Sequence, residues 1–247
     1  MQVQTISLPG AGDVTLTVYL PQQSKEMPNM KNRPSVLVIP GGGYRMCSDR
    51  EAEPVALGFM QYGYAAYVLR YSVQQAAQWP NPLRDAECAM KTIREHAAEW
   101  DIDPERIAAI GFSAGGHLAA ALATLGNCRP NALILGYPCT LDDMDCVQEF
   151  GAPVLDTAVS AQTPPTFIFA ATDDNIVPIR HSLRFASALD AAGVPFEMHL
   201  YARGQHGFSL ATPFVCAEES WLHMCEGCSD WMPRCAAWLD SYFHIGR

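Results

Sequence analysis

Residues 103–120 read DPERIAAIGFSAGGHLAA and carry the strongest structural signal in the sequence. The apolar run 107–110 predicts a buried strand, and the Ala- and Leu-rich run 114–125 predicts a helix directly after it. Between them, GFSAG at residues 111–115 is typical of a tight strand-to-helix turn, because its glycines leave room for a strained serine backbone. Such a turn lifts the serine hydroxyl above the sheet, where the first N–H groups of the helix also point. Ser113 is therefore our candidate nucleophile.

The rest of the chain alternates apolar, strand-like runs with helical patterns. Besides 107–110, strands are predicted at residues 14–20, 36–39, 65–69, 132–135, 166–170 and 196–201. Besides 114–125, helices are predicted at residues 52–61, 86–100, 180–191 and 233–243. Such alternation indicates parallel pairing and a sheet covered on both faces. We therefore predict an α/β fold with a mostly parallel central sheet, helices on both faces and a single domain over residues 1–247.

Two segments stand apart from this alternation. Residues 139–163 have little periodicity and follow a predicted strand, so we expect a short lid or substrate-contacting loop over the C-terminal strand ends. Residues 212–247 are rich in cysteine and tryptophan, and we expect this segment to pack on the domain. Its tryptophans are interpreted as packing residues of the last helix: Trp221, Trp231 and Trp238.

Charge and composition exclude several classes of partner. The 247 residues include 16 Lys and Arg against 26 Asp and Glu, a net charge of −10, which argues against a nucleic-acid or anionic-membrane binder. The stretch between Arg106 and Arg129 is uncharged, but its glycines, serine and histidine fit a strand, turn and helix better than a membrane span. No signal peptide is recognisable at the N-terminus, which predicts a cytoplasmic protein.

The nine cysteines are interpreted as reduced thiols, because their number is odd and no export signal is visible. Four of them fall within residues 216–235, including the pair in Cys225-Glu226-Gly227-Cys228. A zinc site needs four converging ligands, and the two outer cysteines match no zinc-ribbon spacing. We therefore predict no metal and no cofactor, and keep a zinc-dependent interaction tail as an alternative.

A second glycine-rich loop, PGGGY at residues 40–44, follows the predicted strand 36–39. The Lys and Ser or Thr that a phosphate-binding loop needs do not follow it. Beside a serine turn, the loop is better interpreted as an oxyanion hole, with N–H donors from Gly42 and Gly43 and from Ala114 after the nucleophile. Three side chains after the glycines are candidates for substrate contact: Tyr44, Arg45 and Ser48.

A serine nucleophile needs a base, and the base needs an orienting carboxylate. In folds with this turn, the chain order is serine, then acid, then histidine. His206, in a glycine-flanked loop after a predicted strand, is the candidate base. Asp173 and Asp174 both follow another predicted strand; we favour Asp174, which begins the motif Asp-Asn-Ile-Val-Pro, and leave Asp173 open.

Together these motifs resemble α/β-hydrolase esterases, in particular the bacterial acetyl-xylan-esterase-like and feruloyl-esterase-like branch. The resemblance covers residues 36 to about 211, and the cysteine-rich segment after Thr212 lies outside it. It implies a Ser113–Asp174–His206 triad acting without a cofactor on a small-molecule or oligosaccharide ester, with acetylated carbohydrate as the first choice. It rests on the segments PGGGYRMCSDREAEPVAL, GYAAYVLRYSV, WPNPLRDAECAM, DPERIAAIGFSAGGHLAA, ALILGYP, DDNIVP and GVPFEMHLYARGQHGFSLAT.

Other functions stay open at this point. A feruloyl or other aryl esterase would need an aromatic acyl pocket, and an arylformamidase shares the same motifs. A noncatalytic binding module of the same fold would typically lack the serine or the histidine, and both are present here. The sequence also leaves open whether the protein forms a homo-oligomer.

Overall fold

One mixed sheet forms the centre of the fold. The computed structural model describes residues 1–27, 30–216, 218, 223, 225 and 227–244. The strands in these residues are β1 (Gln2–Ser7), β2 (Thr15–Leu20), β3 (Arg33–Ile39), β4 (Ala65–Arg70), β5 (Ile102–Phe112), β6 (Ala132–Gly136), β7 (Thr166–Ala171) and β8 (Phe196–Tyr201). They pair in the order β1-β2-β4-β3-β5-β6-β7-β8. The β1–β2 and β2–β4 pairs are antiparallel, and the other five pairs are parallel.

Helices cover both faces of this sheet. They include α1 (Glu53–Met60), α2 (Asn81–Glu95), α3 (Ala97–Trp100), α4 (Ser113–Thr124), α5 (Asp145–Gln148), α6 (Arg180–Ala191) and α7 (Trp231–Phe243). On one face, α1 and α7 bury Phe59 and Trp231, and on the opposite face α2, α4 and α6 bury Met90, Leu118 and Phe185. Every residue of β3, β6 and β7 is buried, as expected for strands covered on both sides. The predicted α/β fold with a mostly parallel sheet is confirmed.

Some elements differ from the sequence predictions. Strand β1 was not predicted, because it is an edge strand with no fully buried residue and a weak apolar pattern. Strand β5 begins at Ile102, five residues before the predicted start at residue 107. The prediction began too late because Asp103, Pro104 and Glu105 interrupt the apolar run. The predicted helix 86–100 begins earlier and is divided into α2 and α3 at His96, whose φ and ψ are −95° and 10°.

The uncharged stretch between Arg106 and Arg129 contains most of β5, the turn at Ser113 and helix α4. Every residue of α4 is buried, which explains the absence of charge there. Among the helices within the described residues, none combines the length and the apolar character needed to cross a bilayer.

Helix α7 is anchored by its first residue, Trp231. The Trp231 ring is fully buried and stacks on Phe169, with ring centroids 4.2 Å apart. Its indole N–H donates a 2.8 Å hydrogen bond to the Ser209 carbonyl oxygen. Trp238, two turns later, contacts Phe167, and Trp221 lies outside the described residues. The contacts of Trp231 join α7 both to the sheet and to the loop that follows His206.

We expect Trp231→Ala to lower the free energy of unfolding by about 3–5 kcal/mol, because it empties a buried aromatic site and removes the donor to Ser209. Urea unfolding followed by circular dichroism measures the change. Tyr242→Ala on the same helix is the control, since Tyr242 is 37% exposed. A loss below about 1 kcal/mol for Trp231→Ala would contradict this account of the packing.

Candidate active site

The turn around Ser113 joins β5 to α4 as the GFSAG pattern predicts. Ser113 has a φ of +53°, a strained left-handed conformation typical of a nucleophile at this type of turn. Gly115 is required there, because a Cβ would lie 2.2 Å from the Ile39 carbonyl oxygen. The first turn of α4 therefore packs directly against the end of β3, and its free N–H groups lie beside the serine.

The structure brings Ser113, His206 and Asp174 together in one hydrogen-bonded line. The Ser113 hydroxyl lies 2.9 Å from His206 Nε2, and His206 Nδ1 lies 2.8 Å from Asp174 Oδ2. The other Asp174 oxygen accepts two backbone N–H bonds, each 2.9 Å long, from Ile176 and Val177. These bonds fix the carboxylate, which in turn orients the imidazole toward the serine.

The neighbouring aspartate, Asp173, has a different position. Its Oδ1 accepts a 2.7 Å hydrogen bond from the backbone N–H of Gly204. Gly204 begins the loop that carries His206, so Asp173 fixes the start of that loop while Asp174 contacts the imidazole itself. The geometry therefore favours Asp174 as the partner of the histidine.

The glycine loop at residues 41–43 faces the same serine. Gly42 has a φ of +123° and Gly43 a φ of +64°. The Gly42 carbonyl oxygen accepts hydrogen bonds from Arg45 and Met46, so it is engaged within the loop. Within the described residues, no acceptor is bonded to the N–H groups of Gly42 and Gly43. Together with the N–H of Ala114 at the start of α4, these groups are available to bind a developing oxyanion.

A cavity of about 650 Å³ opens beside the serine. Its lining includes both glycines of the loop and the histidine, so these groups share one space. Of the three side chains predicted to contact substrate, Arg45 and Ser48 line the cavity. The Arg45 side chain is 60% exposed and forms an ion pair with Glu149. Both residues thus lie at the cavity, and Arg45 is at its solvent-exposed side.

Tyr44 is placed differently from the prediction. Its φ of +59° accompanies a fully buried ring that lies against Tyr71 and Phe150 rather than in the cavity. Its hydroxyl donates a 2.7 Å hydrogen bond to His117 Nδ1, while His117 Nε2 lies 2.8 Å from the Pro153 carbonyl oxygen. Burial lowers the pKa of His117 to about 4, so this imidazole is neutral. Tyr44 therefore packs inside the domain behind the glycine loop, and its side chain does not line the cavity.

The segment 139–163 forms one wall of the cavity, through Cys139, Asp143, Met144, Asp145 and Cys146. The buried His181, at the start of α6, holds this wall in place through hydrogen bonds. His181 Nδ1 accepts hydrogen bonds from the N–H groups of Thr140 and Leu141, at 3.0 and 3.2 Å. Its Nε2 lies 2.8 Å from Asp143 Oδ1, and burial lowers the pKa of His181. These contacts hold the wall against the start of α6, beside Ser113 and His206.

Sequence reasoning missed Glu51. This carboxyl is 3% exposed and lines the cavity with the serine and histidine. It accepts hydrogen bonds from the Gly41 N–H, at 2.8 Å, and from the Tyr137 hydroxyl, at 2.7 Å. Burial raises its pKa. Glu51 stands between Asp49 and Glu53 at the beginning of the predicted helix 52–61, so the local sequence contained no signal for a buried carboxylate here.

The cysteines of the described residues are free thiols. Across the same part of the chain, no cluster of three or more His, Cys, Asp or Glu is arranged to hold a metal ion. Glu226, within the pair of cysteines considered for zinc, lies outside the described residues.

Comparisons with known proteins agree with the motifs. A family model described as BD-FAE matches residues 16–149, more than half of the chain, and a model of the prolyl oligopeptidase family matches residues 136–213. An acetylxylan esterase of Xylanibacter ruminicola is 30% identical over 232 residues, which are 85% of this chain and 47% of that protein. The chain thus spans about half the length of that curated relative.

Solved structures of similar proteins align with nearly the whole chain. MGS-M1, an alpha/beta hydrolase from a Medee basin deep-sea metagenome library, is 42% identical with a TM-score of 0.92, over 99% of both chains. An acetyl ester-xyloside bifunctional hydrolase from Caldicellulosiruptor lactoaceticus is 33% identical with a TM-score of 0.83, over 95% of this chain and 90% of that one. The resemblance seen in the sequence is therefore confirmed, and the chain belongs to the BD-FAE family of α/β-hydrolase esterases.

Proposed function

We propose that this chain is a serine ester hydrolase that removes acetyl groups from acetylated carbohydrate through Ser113, His206 and Asp174. One observation carries the proposal: the imidazole bridges the serine hydroxyl and the buried aspartate by bonds of 2.9 and 2.8 Å. This is the arrangement in which a neutral histidine removes a serine proton and the resulting imidazolium is stabilised.

The reaction has two halves. Ser113 Oγ attacks the acyl carbon while His206 Nε2 takes the hydroxyl proton, and the N–H groups of Gly42, Gly43 and Ala114 bind the oxyanion. The C–O bond to the alcohol then breaks, and His206 returns the proton to the leaving oxygen. In the second half, His206 removes a proton from water as the water oxygen attacks the acyl carbon. The bond from that carbon to Ser113 Oγ then breaks, His206 returns the proton to Oγ, and acetic acid leaves and ionises to acetate.

The walls next to the serine favour a short acyl group. Cys139 Sγ lies 3.8 Å from Ser113 Oγ, and Cys146 lines the same cavity together with Gly43. Among the described residues, no Phe, Tyr or Trp lines the cavity, whereas a feruloyl ring would favour an aromatic wall. This absence favours acetyl over feruloyl esters.

The outer part of the cavity favours a hydroxyl-rich alcohol. Its lining includes Arg45, Ser48 and Asp145, which offer donors and acceptors for hydroxyl groups. The names of two relatives, an acetylxylan esterase and an acetyl ester-xyloside hydrolase, point the same way. We therefore propose acetylated oligosaccharides as the substrate class.

The test is acetate release from acetylated xylo-oligosaccharides and other acetylated sugars, compared with aryl acetate, aryl butyrate and ferulate esters. Protein inactivated beforehand with a serine-directed fluorophosphonate is the control. We expect kcat/KM for acetyl esters to exceed that for butyrate and ferulate esters by about tenfold or more. A preference for ferulate would move the assignment to a feruloyl esterase. Turnover of an aryl formamide but no ester would move it to an arylformamidase.

A further inference from the structure

We infer that Glu51 is a positioning residue for this reaction. Its buried carboxylate fixes the glycine loop at residues 41–43, here called the oxyanion loop, relative to the loop that carries His206. The same carboxylate stabilises the positive charge that the histidine acquires. The inference rests on the proposed function, because it assigns a role in the same chemistry. Three features support it: a hydrogen bond between Glu51 and the oxyanion loop, a chain of hydrogen bonds from Glu51 to the loop that carries His206, and the charge of the Glu51 carboxylate.

The first feature is the bond to the oxyanion loop. Glu51 Oε2 accepts the N–H of Gly41, which directly precedes the two proposed donor glycines. At Gly41 the loop packs tightly on the nucleophile turn, since a Cβ there would lie 2.7 Å from the Phe112 carbonyl oxygen and 3.1 Å from Ser113 Cβ. The carboxylate therefore fixes the loop where it passes the serine, and a small shift at this point would move the oxyanion donors.

The second feature is a chain of hydrogen bonds that leads from Glu51 to the loop that carries His206. Glu51 Oε1 accepts the Tyr137 hydroxyl, and the same phenolic oxygen accepts the N–H of Ser209 at 3.0 Å. Ser209 lies three residues after His206, and the Tyr137 ring meets the imidazole edge-on with centroids 5.1 Å apart. One carboxyl group thus connects the glycine loop to the loop that carries His206.

The third feature is the negative charge of the Glu51 carboxylate. Both groups that hydrogen-bond Glu51 are neutral, a backbone amide and a phenol. The pKa of the Glu51 carboxyl is raised by burial, while the bonds from Tyr137 and Gly41 and the charges of His206 and Arg50 oppose that rise. Because electrostatic interactions are mutual, an ionised Glu51 also favours the imidazolium formed during attack. Tyr71, whose hydroxyl donates to the Pro40 carbonyl oxygen, is a further titratable group near Glu51.

The kinetic test uses Glu51→Gln in the full chain, with Asp85→Asn as a matched control. Asp85 is also a buried carboxyl that accepts a backbone N–H, from Ser72, but it does not line the catalytic cavity. We expect Glu51→Gln to lower kcat for an aryl acetate by about 10- to 100-fold with little change in KM, because the interactions lost act in the transition state. The acidic limb of its kcat/KM profile moves to lower pH, since the charge that favours the imidazolium is gone. The control keeps both kcat and the profile.

Counting active sites separates this role from a merely structural one. Fluorophosphonate labelling gives the fraction of protein with a reactive serine and the rate at which it reacts. A Glu51→Gln variant with fewer active sites but wild-type kcat per site and an unshifted acidic limb would overturn the inference. Glu51→Asp retains the charge, so we expect its acidic limb to stay at the wild-type position even though kcat falls. If the wild-type protein hydrolyses no ester, the proposed function fails. Even then, the positioning role is supported if fluorophosphonate labels Glu51→Gln more slowly than it labels the wild type.

The pH dependence of stability tests the ionisation of Glu51 independently of turnover. A carboxyl whose pKa is raised on folding contributes stability below its unfolded pKa and loses it as pH rises through the folded pKa. Glutamine does not titrate, so the melting temperature of Glu51→Gln minus that of the wild type should become more positive between about pH 4 and pH 8. The difference should level off once the pH exceeds the folded pKa. A difference that keeps rising up to about pH 8 would show a Glu51 that stays protonated and uncharged, and would overturn the electrostatic part of the inference.

Discussion

We expect Asp174→Asn to lower kcat by about 10³–10⁴-fold, because an amide cannot hold the imidazole in the tautomer that accepts the Ser113 proton. In the native chain the Asp174 carboxylate lies 2.8 Å from His206 Nδ1 and is fixed by the N–H groups of Ile176 and Val177. Asparagine keeps the shape and can keep those backbone bonds. The loss therefore isolates the bond to histidine.

Asp173→Asn is the matched control, since it changes the adjacent residue by the same atoms. Asp173 accepts the Gly204 N–H, and an asparagine oxygen can still accept it, so we expect a loss in kcat below about tenfold. Hydrolysis of an aryl acetate, with active sites counted by fluorophosphonate, measures both variants, and Ser113→Ala defines the background rate. Equal losses in the two aspartate variants, or a larger loss in Asp173→Asn, would contradict the assignment of Asp174.

The central part of the fold could be predicted because its signals are local. Strands β3, β6 and β7 are buried on both faces and are apolar throughout most of their length, so short windows of sequence identify them. The turn at Ser113 is specified by glycines within two residues of it. Strand β1 escaped prediction because pairing with β2, rather than burial, defines it. Pairing with a distant partner leaves little trace in a single sequence.

The site was predictable to the extent that chain order specifies it. The acid and base follow β7 and β8, and parallel strands bring such loops to the same edge of the sheet. The orientation of Tyr44 was not predictable, because a positive φ accompanies its burial beside the cavity. Glu51 was missed because its partner Tyr137 is 86 residues away in sequence. Contacts over such a separation arise from the assembled sheet and cannot be inferred from local pattern.

Gly42→Ala is expected to lower kcat for acetyl esters by about 10²–10³-fold, the loss associated with a missing oxyanion donor. Gly42 has a φ of +123°, which side chains rarely adopt, and a Cβ there would lie 2.3 Å from the Met46 carbonyl oxygen. The loop can accommodate the methyl group only by moving, and its movement displaces the N–H groups of Gly42 and Gly43 from the oxyanion. Binding of the ground-state ester depends less on these donors, so KM should change far less than kcat.

Gly193→Ala separates this effect from the general cost of replacing a glycine at positive φ. Gly193 has a φ of +68° and open space around its Cβ position, in the turn that follows α6. Its substitution should lower the melting temperature slightly through backbone strain and leave kcat unchanged. If Gly42→Ala retained wild-type kcat per labelled serine, the glycine loop could not supply the oxyanion donors. Comparable losses of kcat in both variants would instead assign the effect to stability rather than to the geometry of the loop.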